Sequence, residues 1–253
     1  MLEGLSTRHG TGTGRPRIAG ARDGATVARR KNGAAPGTSR AVHAPARHVR
    51  RRDPAATRAK VLAAGVLEFC AKGFDGARID RIARRARCNI RMIYHYFGSK
   101  ERLYLAALER VFQQLRSREE ELDLLHMDPV RGMSALVDFT FDHMLEHQEF
   151  IRLIGNENML RGRFLKKSRF VPRATLPLVK AITDLLRRGQ TDGVFRRNVD
   201  PVQLYISILS VAYVHVSNKY TLSITFQRDL GDAPWLAQRR RHAREIILGY
   251  LRP

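Results

Sequence analysis

The stretch Ile79–Lys100, IDRIARRARCNIRMIYHYFGSK, constrains this chain more than any other. It divides into two short helical patterns separated by a turn. In the first, Ile79, Ile82, Ala83 and Ala86 recur at offsets of three and four, which is one face of a helix. In the second, Ile93 and Phe97 lie four apart and can face the same core, and Asn89 suits the capping position before the helix. Ile90, Arg91, Tyr94 and His95 are then left pointing away from that core. A short helix with Arg, Tyr and His on its free face, held by another helix at a tight turn, predicts a helix-turn-helix. Its second helix would lie in a DNA major groove while the first crosses the backbone. An ordinary helical hairpin with a basic, solvated face has the same periodicity.

The flanking residues narrow the choice. Upstream stand the VL-x-AG start of a helix at Val61–Gly65 and an F-x-x-x-GF break at Phe69–Phe74. Ile79–Ala83 reads I-x-x-IA, and IYHYFGSKE runs from Ile93 to Glu101, followed by RLYLAALERVF to Phe112. From Arg58 to Phe112 the chain resembles the TetR family of transcriptional regulators. It is most similar to the branch whose recognition helix reads Asn-Lys-Arg-Met-Ile-Tyr; here the hexapeptide is Asn89, Ile90, Arg91, Met92, Ile93 and Tyr94.

The resemblance implies roles for particular residues. Asn89 caps the recognition helix and can touch a phosphate. Arg91 is the candidate for base readout, because a guanidinium can bond guanine O6 and N7 together. Ile90 replaces the branch's lysine, where an apolar side chain can meet a thymine methyl or weaken phosphate binding. Tyr94 and Lys100 match positions that hold phosphates, and His95 matches one that reaches bases or backbone. Arg78, at the start of the second helix, would clamp a phosphate. For each, a solvated surface residue is the plainer alternative. One departure stands out: the family turn usually has glycine then valine, and this chain has Arg87-Cys88. Arginine at positive φ costs roughly 1 kcal/mol or more relative to glycine. The turn is therefore expected to be strained or shifted in geometry.

Residues 1–52 form a separate segment. They are rich in Ala, Gly, Arg, Thr and Pro and carry 12 Lys or Arg against 2 acidic residues, which is +10 of the chain's +22. So little apolar surface cannot offset ordering entropy, and a disordered basic extension is expected. It is either an arm adding sequence-independent phosphate contacts or a segment that contributes nothing. The overall charge suggests a polyanionic partner.

Asp53-Pro54 is a cap-plus-proline start for the first helix, with an apolar stripe of Val61, Leu62, Gly65, Val66 and Phe69, and an end at Gly73. Glu68 is expected at the edge of the core. A fourth helix runs from Lys100 beyond Leu115 and links the DNA-reading part to the rest. Further helices are expected from Pro129, over Gln148–Leu160, over Leu176–Arg188, over Val202–Val216 and around Trp235–Tyr250. A basic stretch, Arg161–Arg173, and a loop bracketed by Gly189 and Gly193 lie between them. Thr221–Phe226 is the sole short strand candidate, so the fold class is all-α.

The domain expectation is a basic extension over 1–52, a three-helix DNA-binding domain over 53–100, and a larger helical ligand-binding and dimerisation domain over 101–253. By resemblance, dimerisation uses Val202–Val216 and Gln238–Leu251, and the C-terminal part is similar to regulators of nitrogen-heterocycle or aromatic breakdown. His143 and His147, four apart, could share a metal with Asp142 or Glu157, or simply form a polar helix face. Cys70 and Cys88 read as small buried hydrophobes in a reducing compartment, with a redox switch at Cys88 as the alternative. The sequence has no P-loop, dinucleotide fingerprint, Gly-x-Ser-x-Gly elbow or Cys-x-x-Cys pair, which argues against an enzyme. No apolar run is long enough to span a membrane.

These readings converge on a homodimeric, ligand-responsive regulator, most often a repressor in similar proteins. It would bind a palindromic double-stranded DNA operator, respond to an unidentified small-molecule effector, need no cofactor, and reside in the cytoplasm, at the nucleoid when DNA-bound. A nonspecific or architectural nucleic-acid-binding protein driven by charge is the alternative.

Overall fold

A computed structural model describes residues 53–253, so the expectations for the N-terminal extension lie outside the described residues. The described residues form ten α-helices and one short 3-10 turn, with no strand among them. Four helices start on an aspartate cap with proline in the first turn. Asp53, Asp128, Asp200 and Asp232 each accept a backbone N–H from the first turn of α1 (Pro54–Gly76), α5 (Pro129–Glu146), α8 (Pro201–Ser217) and α10 (Ala233–Leu251). The carboxylate satisfies otherwise orphaned amides, and proline gives up an N–H that had no partner.

α1 breaks at Gly73, whose φ of 66° redirects the chain and turns the Phe74 ring inward. α2 (Ile79–Ala86) and α3 (Ile90–Phe97) follow, and α4 (Lys100–Glu120) leads away as one uninterrupted rod. Val61, Phe69, Ile82, Ile93, Leu103 and Tyr104 bury together where these four helices meet. The rest of the chain packs α5, α7 (Phe170–Thr191), α8 and α10 around a second concentration of apolar side chains, including Met133, Phe141, Ile182, Ile208 and Ile247. α6 (Gln148–Met159) packs on both α1 and α4, so the apolar core is continuous from one end to the other.

The 3-10 turn Leu165–Lys167 and its neighbour Phe164 seal this junction. The Phe164 ring is fully buried, 4.4 Å from Phe74 and 5.0 Å from Tyr104 between centroids. Glu157, at the end of α6, accepts the backbone N–H groups of Phe164 and Leu165 at 2.7 and 2.8 Å, which pins the segment. Farther along α4, Arg116 and Glu119 form a buried ion pair. The Tyr205 hydroxyl accepts from Arg116 at 3.1 Å and donates to Glu119 at 2.9 Å. A small cavity of about 160 Å³ between α4 and α7 borders this triad.

Three local expectations are corrected. α7 begins at Phe170, not Leu176, because the Ser168 hydroxyl caps it by accepting from Phe170 and Val171 N–H at 3.2 Å each. Pro177 sits inside this helix, although proline there removes a hydrogen bond and normally argues for a helix start. The helix also continues through Gly189, where the Phe195 ring lies so close that a Cβ would sit 2.1 Å from it. Glycine here serves close packing rather than a loop. Thr221–Phe226 is not a strand: Lys219–Thr225 is α9, against α8.

Candidate DNA-binding interface

The pair α2–α3 is held by burial of Ile82, Ala83, Ala86, Ile93 and Phe97, as their spacing predicts. The turn between them ends α2 with Arg87 at φ 52°, ψ 44°, the left-handed region. Arg87 N–H donates to Arg84 C=O at 3.2 Å and Cys88 N–H to Ala83 C=O at 3.1 Å, which closes the helix end. Of the two outcomes expected for Arg87-Cys88, this is the strained one, with arginine taking the conformation that glycine favours. Asn89 then starts α3, its side chain accepting from Arg91 N–H at 2.9 Å.

With Ile93 and Phe97 turned inward, Ile90, Arg91, Tyr94 and His95 are exposed along the other side of α3. An eight-residue helix is about 12 Å long, comparable to the width of a B-DNA major groove. Arg84, Arg85 and Arg87 lie exposed on the last turn of α2 and the turn itself, and with Lys60 of α1 they rim a groove leading to Asn89. The face is strongly cationic.

Two of the expected phosphate contacts have partners within the protein. Arg78 donates to Asp80 at 3.0 Å, an exposed ion pair that holds the Asp80 carboxyl below its usual range. Lys100 is half-buried, with its ammonium 4.8 Å above the Phe74 ring and 3.4 Å from Asp75 C=O.

Glu68 is the residue that sequence reasoning misplaced. It is buried at 4% exposure, accepting Arg78 N–H at 3.2 Å and the Arg81 guanidinium at 2.7 Å. Arg81 also donates to Gly76 C=O at 2.9 Å. One carboxylate on α1 thus fixes the entry to α2. The available signal was its place between Gly65 and Phe69 on the apolar stripe, with basic residues concentrated in the next helix.

The other candidates separate. His143 is buried with its ring 4.2 Å from that of His147, but His147 already contacts Arg118 at 2.7 Å and Glu149 at 3.0 Å. Asp142 pairs with Arg240 at 2.6 Å, and Glu157 holds the Phe164 segment, so neither joins the histidines. Among the described residues no three His, Cys, Asp or Glu side chains converge as a metal site. Both cysteines are free and partly buried. Burial pushes the Cys70 thiol up to about 12 and raises that of Cys88, the opposite of an activated thiolate. The charged side chains of the Arg161–Arg173 stretch are exposed, and Arg163 and Lys167 lie over the Phe164 ring.

Residues 61–107 match the model for bacterial regulatory proteins of the tetR family, and residues 129–247 match the Tetracyclin repressor-like C-terminal domain. The HTH-type transcriptional repressor NicS of Pseudomonas putida is 35% identical over 184 residues, covering 71% of this chain and 87% of that protein. The chain belongs to the TetR family. TetR-family proteins are DNA-binding transcriptional regulators rather than enzymes, and the exposed face of α3 belongs to the matched N-terminal region. A second relative, the HTH-type transcriptional repressor SCO4008 of Streptomyces coelicolor, is 39% identical over 113 residues, covering 44% of this chain and 54% of that one. The crystal structure of SCO4942 from Streptomyces coelicolor covers 78% of this chain and 99% of its own, at 27% identity and a TM-score of 0.58. Among the described residues, no helix is long and apolar enough to cross a membrane.

Proposed function

We propose that this TetR-family regulator acts as a homodimeric repressor that binds a palindromic operator and leaves it when a small-molecule effector binds. The observation that carries the reading is the exposed face of α3, where Ile90, Arg91, Tyr94 and His95 project from a helix anchored by Ile93 and Phe97. In this reading residues 53–100 form the reading head. Arg91 reads a base edge, Ile90 meets a thymine methyl, and Asn89, Tyr94, His95, Arg78 and Lys100 hold the backbone. Engaging phosphate requires Arg78 to leave Asp80 and Lys100 to turn from Asp75. The hexapeptide Asn89–Tyr94 favours the branch with an Asn-Lys-Arg-Met-Ile-Tyr recognition helix.

Residues 101–253 supply effector binding and dimerisation. Support for the dimer comes from exposed apolar side chains on the two long helices: Val202 and Ile206 on α8, Ile246 and Tyr250 on α10. Two-fold symmetry sets half-sites about one helical turn, roughly 34–36 Å, apart. An effector acts through its difference in affinity for DNA-competent and DNA-incompetent states. The protein works in the cytoplasm, at the nucleoid when bound, and requires no cofactor.

The net charge of +22 favours one rival, nonspecific binding to any nucleic acid. Selection of sites from a random DNA pool at physiological salt separates the two. A regulator enriches one palindrome, whether the protein is full-length or begins at Asp53. Enrichment of no sequence, with DNA still bound, would leave the charge-driven reading in its place.

A further inference from the structure

Where the C-terminal end of α8 meets α9 and the start of α10, the surface opens into a cleft of about 400 Å³. Leu222, Phe226, Leu230 and Trp235 supply its apolar walls. His215 lines it from below, buried at 4% exposure and stacked on Phe141 at 4.7 Å with 18° between the rings. Its ring centroid is 5.9 Å from that of Trp235. Neither ring nitrogen of His215 has a hydrogen-bond partner among the described residues, which is costly for a buried polar group. Burial, with the Arg239 charge nearby, lowers its pKa to about 4, so the ring is neutral at pH 7.

The charged residues that line the cleft, Arg228 and Arg239, are both cationic. Along α10, Arg240 pairs with Asp142 at 2.6 Å and Arg244 with Asp138 at 2.7 Å. Arg239, on the same helix and half-buried, contacts no carboxylate among the described residues; its guanidinium donates to Val211 C=O at 3.3 Å. A partly desolvated guanidinium beside apolar and aromatic walls is complementary to an anion with a flat apolar body.

We propose that this cleft binds a planar aromatic carboxylate, its ring against Trp235 and Phe226 above His215 and its carboxylate on Arg239. Trp235 and Phe226 offer stacking surfaces for a flat ring. A phosphate or dicarboxylate would leave charge against the apolar walls. As an assignment of the effector's chemical class, this rests on the ligand-responsive reading above; as a binding site it does not.

Trp235 is the chain's single tryptophan, so its emission reports on this cleft. The probes are 2-naphthoate and its uncharged amide, titrated into the full-length protein by calorimetry, with benzoate followed by Trp235 fluorescence excited at 295 nm. The acids bind saturably, benzoate perturbs Trp235 emission, and the amide binds at least about 10-fold more weakly. Arg239→Gln weakens the acid by a similar factor at an unchanged unfolding midpoint, and the exposed neighbour Arg241→Gln does not. If neither acid binds, or acid and amide bind equally, the site is overturned; the acid–amide comparison needs no variant. Release of operator DNA by a bound acid supports the effector assignment, whereas binding without release overturns that assignment and leaves the site standing.

Discussion

The Phe164 ring lies 4.4 Å from that of Phe74, tilted at 44°, so a residue of the segment after α6 completes the aromatic core beneath the reading head. Phe69 and Tyr104 surround the same contact, with Tyr104 edge-on to both Phe69 and Phe164. Truncating such a ring leaves a cavity that four helices cannot easily collapse. Phe164→Ala is expected to lose about 3–5 kcal/mol of stability, read as a lower urea midpoint. A loss below about 1 kcal/mol would mean that the ring is not a structural anchor.

The Arg116–Glu119–Tyr205 triad gives a contrasting pair of outcomes. Glu119→Gln strands a guanidinium in the core and should cost about 3–5 kcal/mol. Tyr205→Phe removes hydrogen bonds but leaves the ion pair, and should cost about 1–2 kcal/mol. Chemical denaturation of the two variants side by side tests the order.

Arg87 offers a stabilising substitution. Its left-handed backbone costs an arginine about 1–2 kcal/mol, of which glycine recovers part after its own greater loss of chain entropy. Arg87→Gly should therefore raise stability by about 0.5–1 kcal/mol, measured as a higher thermal midpoint. No gain would mean that the arginine side chain compensates the strain.

At the DNA face, Arg91→Ala should reduce discrimination by about 1–3 kcal/mol at one base pair of each half-site. Arg85→Ala, on the exposed last turn of α2, should weaken all sequences alike and flatten the salt dependence. Competition binding against single-base operator variants distinguishes the two effects.

Two buried histidines set an acid limit. Burial lowers His143 to about 3 and His215 to about 4, below the ordinary 6.5 of an exposed imidazole. Below pH 6.5 the unfolded chain takes up protons that the folded one refuses, so stability falls as pH drops. Each histidine should contribute a slope of about 1.4 kcal/mol per pH unit, together from 6.5 to about 4 and His143 alone to about 3. Urea midpoints across this range should lose part of that slope in His143→Phe, and again in His215→Phe.

Local features were the legible ones. The four-residue spacing of Ile93 and Phe97 fixed which side of α3 is buried, and therefore which side is free for DNA. Asp53-Pro54 and Pro129 marked helix starts because a cap is made within one turn of chain. What escaped depends on contacts between distant residues. Glu68 is buried because Arg81, in the next helix, turns back to it. Gly189 stays helical with the Phe195 ring folded against it, and Lys219–Thr225 follows α8 as a short helix with none of its own residues buried. At the site, exposure of Arg91 followed from periodicity alone. The partners of Lys100 did not, since Phe74 and Asp75 are brought to it by the break at Gly73.

α4 is unbroken from Lys100 to Glu120, about 31 Å of rod, with Tyr104 clamped near one end and the Arg116–Glu119 pair near the other. A rod held this way acts as a lever. A tilt of about 5° about one end displaces the other by roughly 3 Å, close to the ~3.4 Å rise of one base-pair step. Repeated in both halves of a two-fold dimer, that movement would put the reading heads out of step with half-sites a helical turn apart. A few degrees of helix tilt about the Arg116–Glu119 end would therefore suffice to throw the switch.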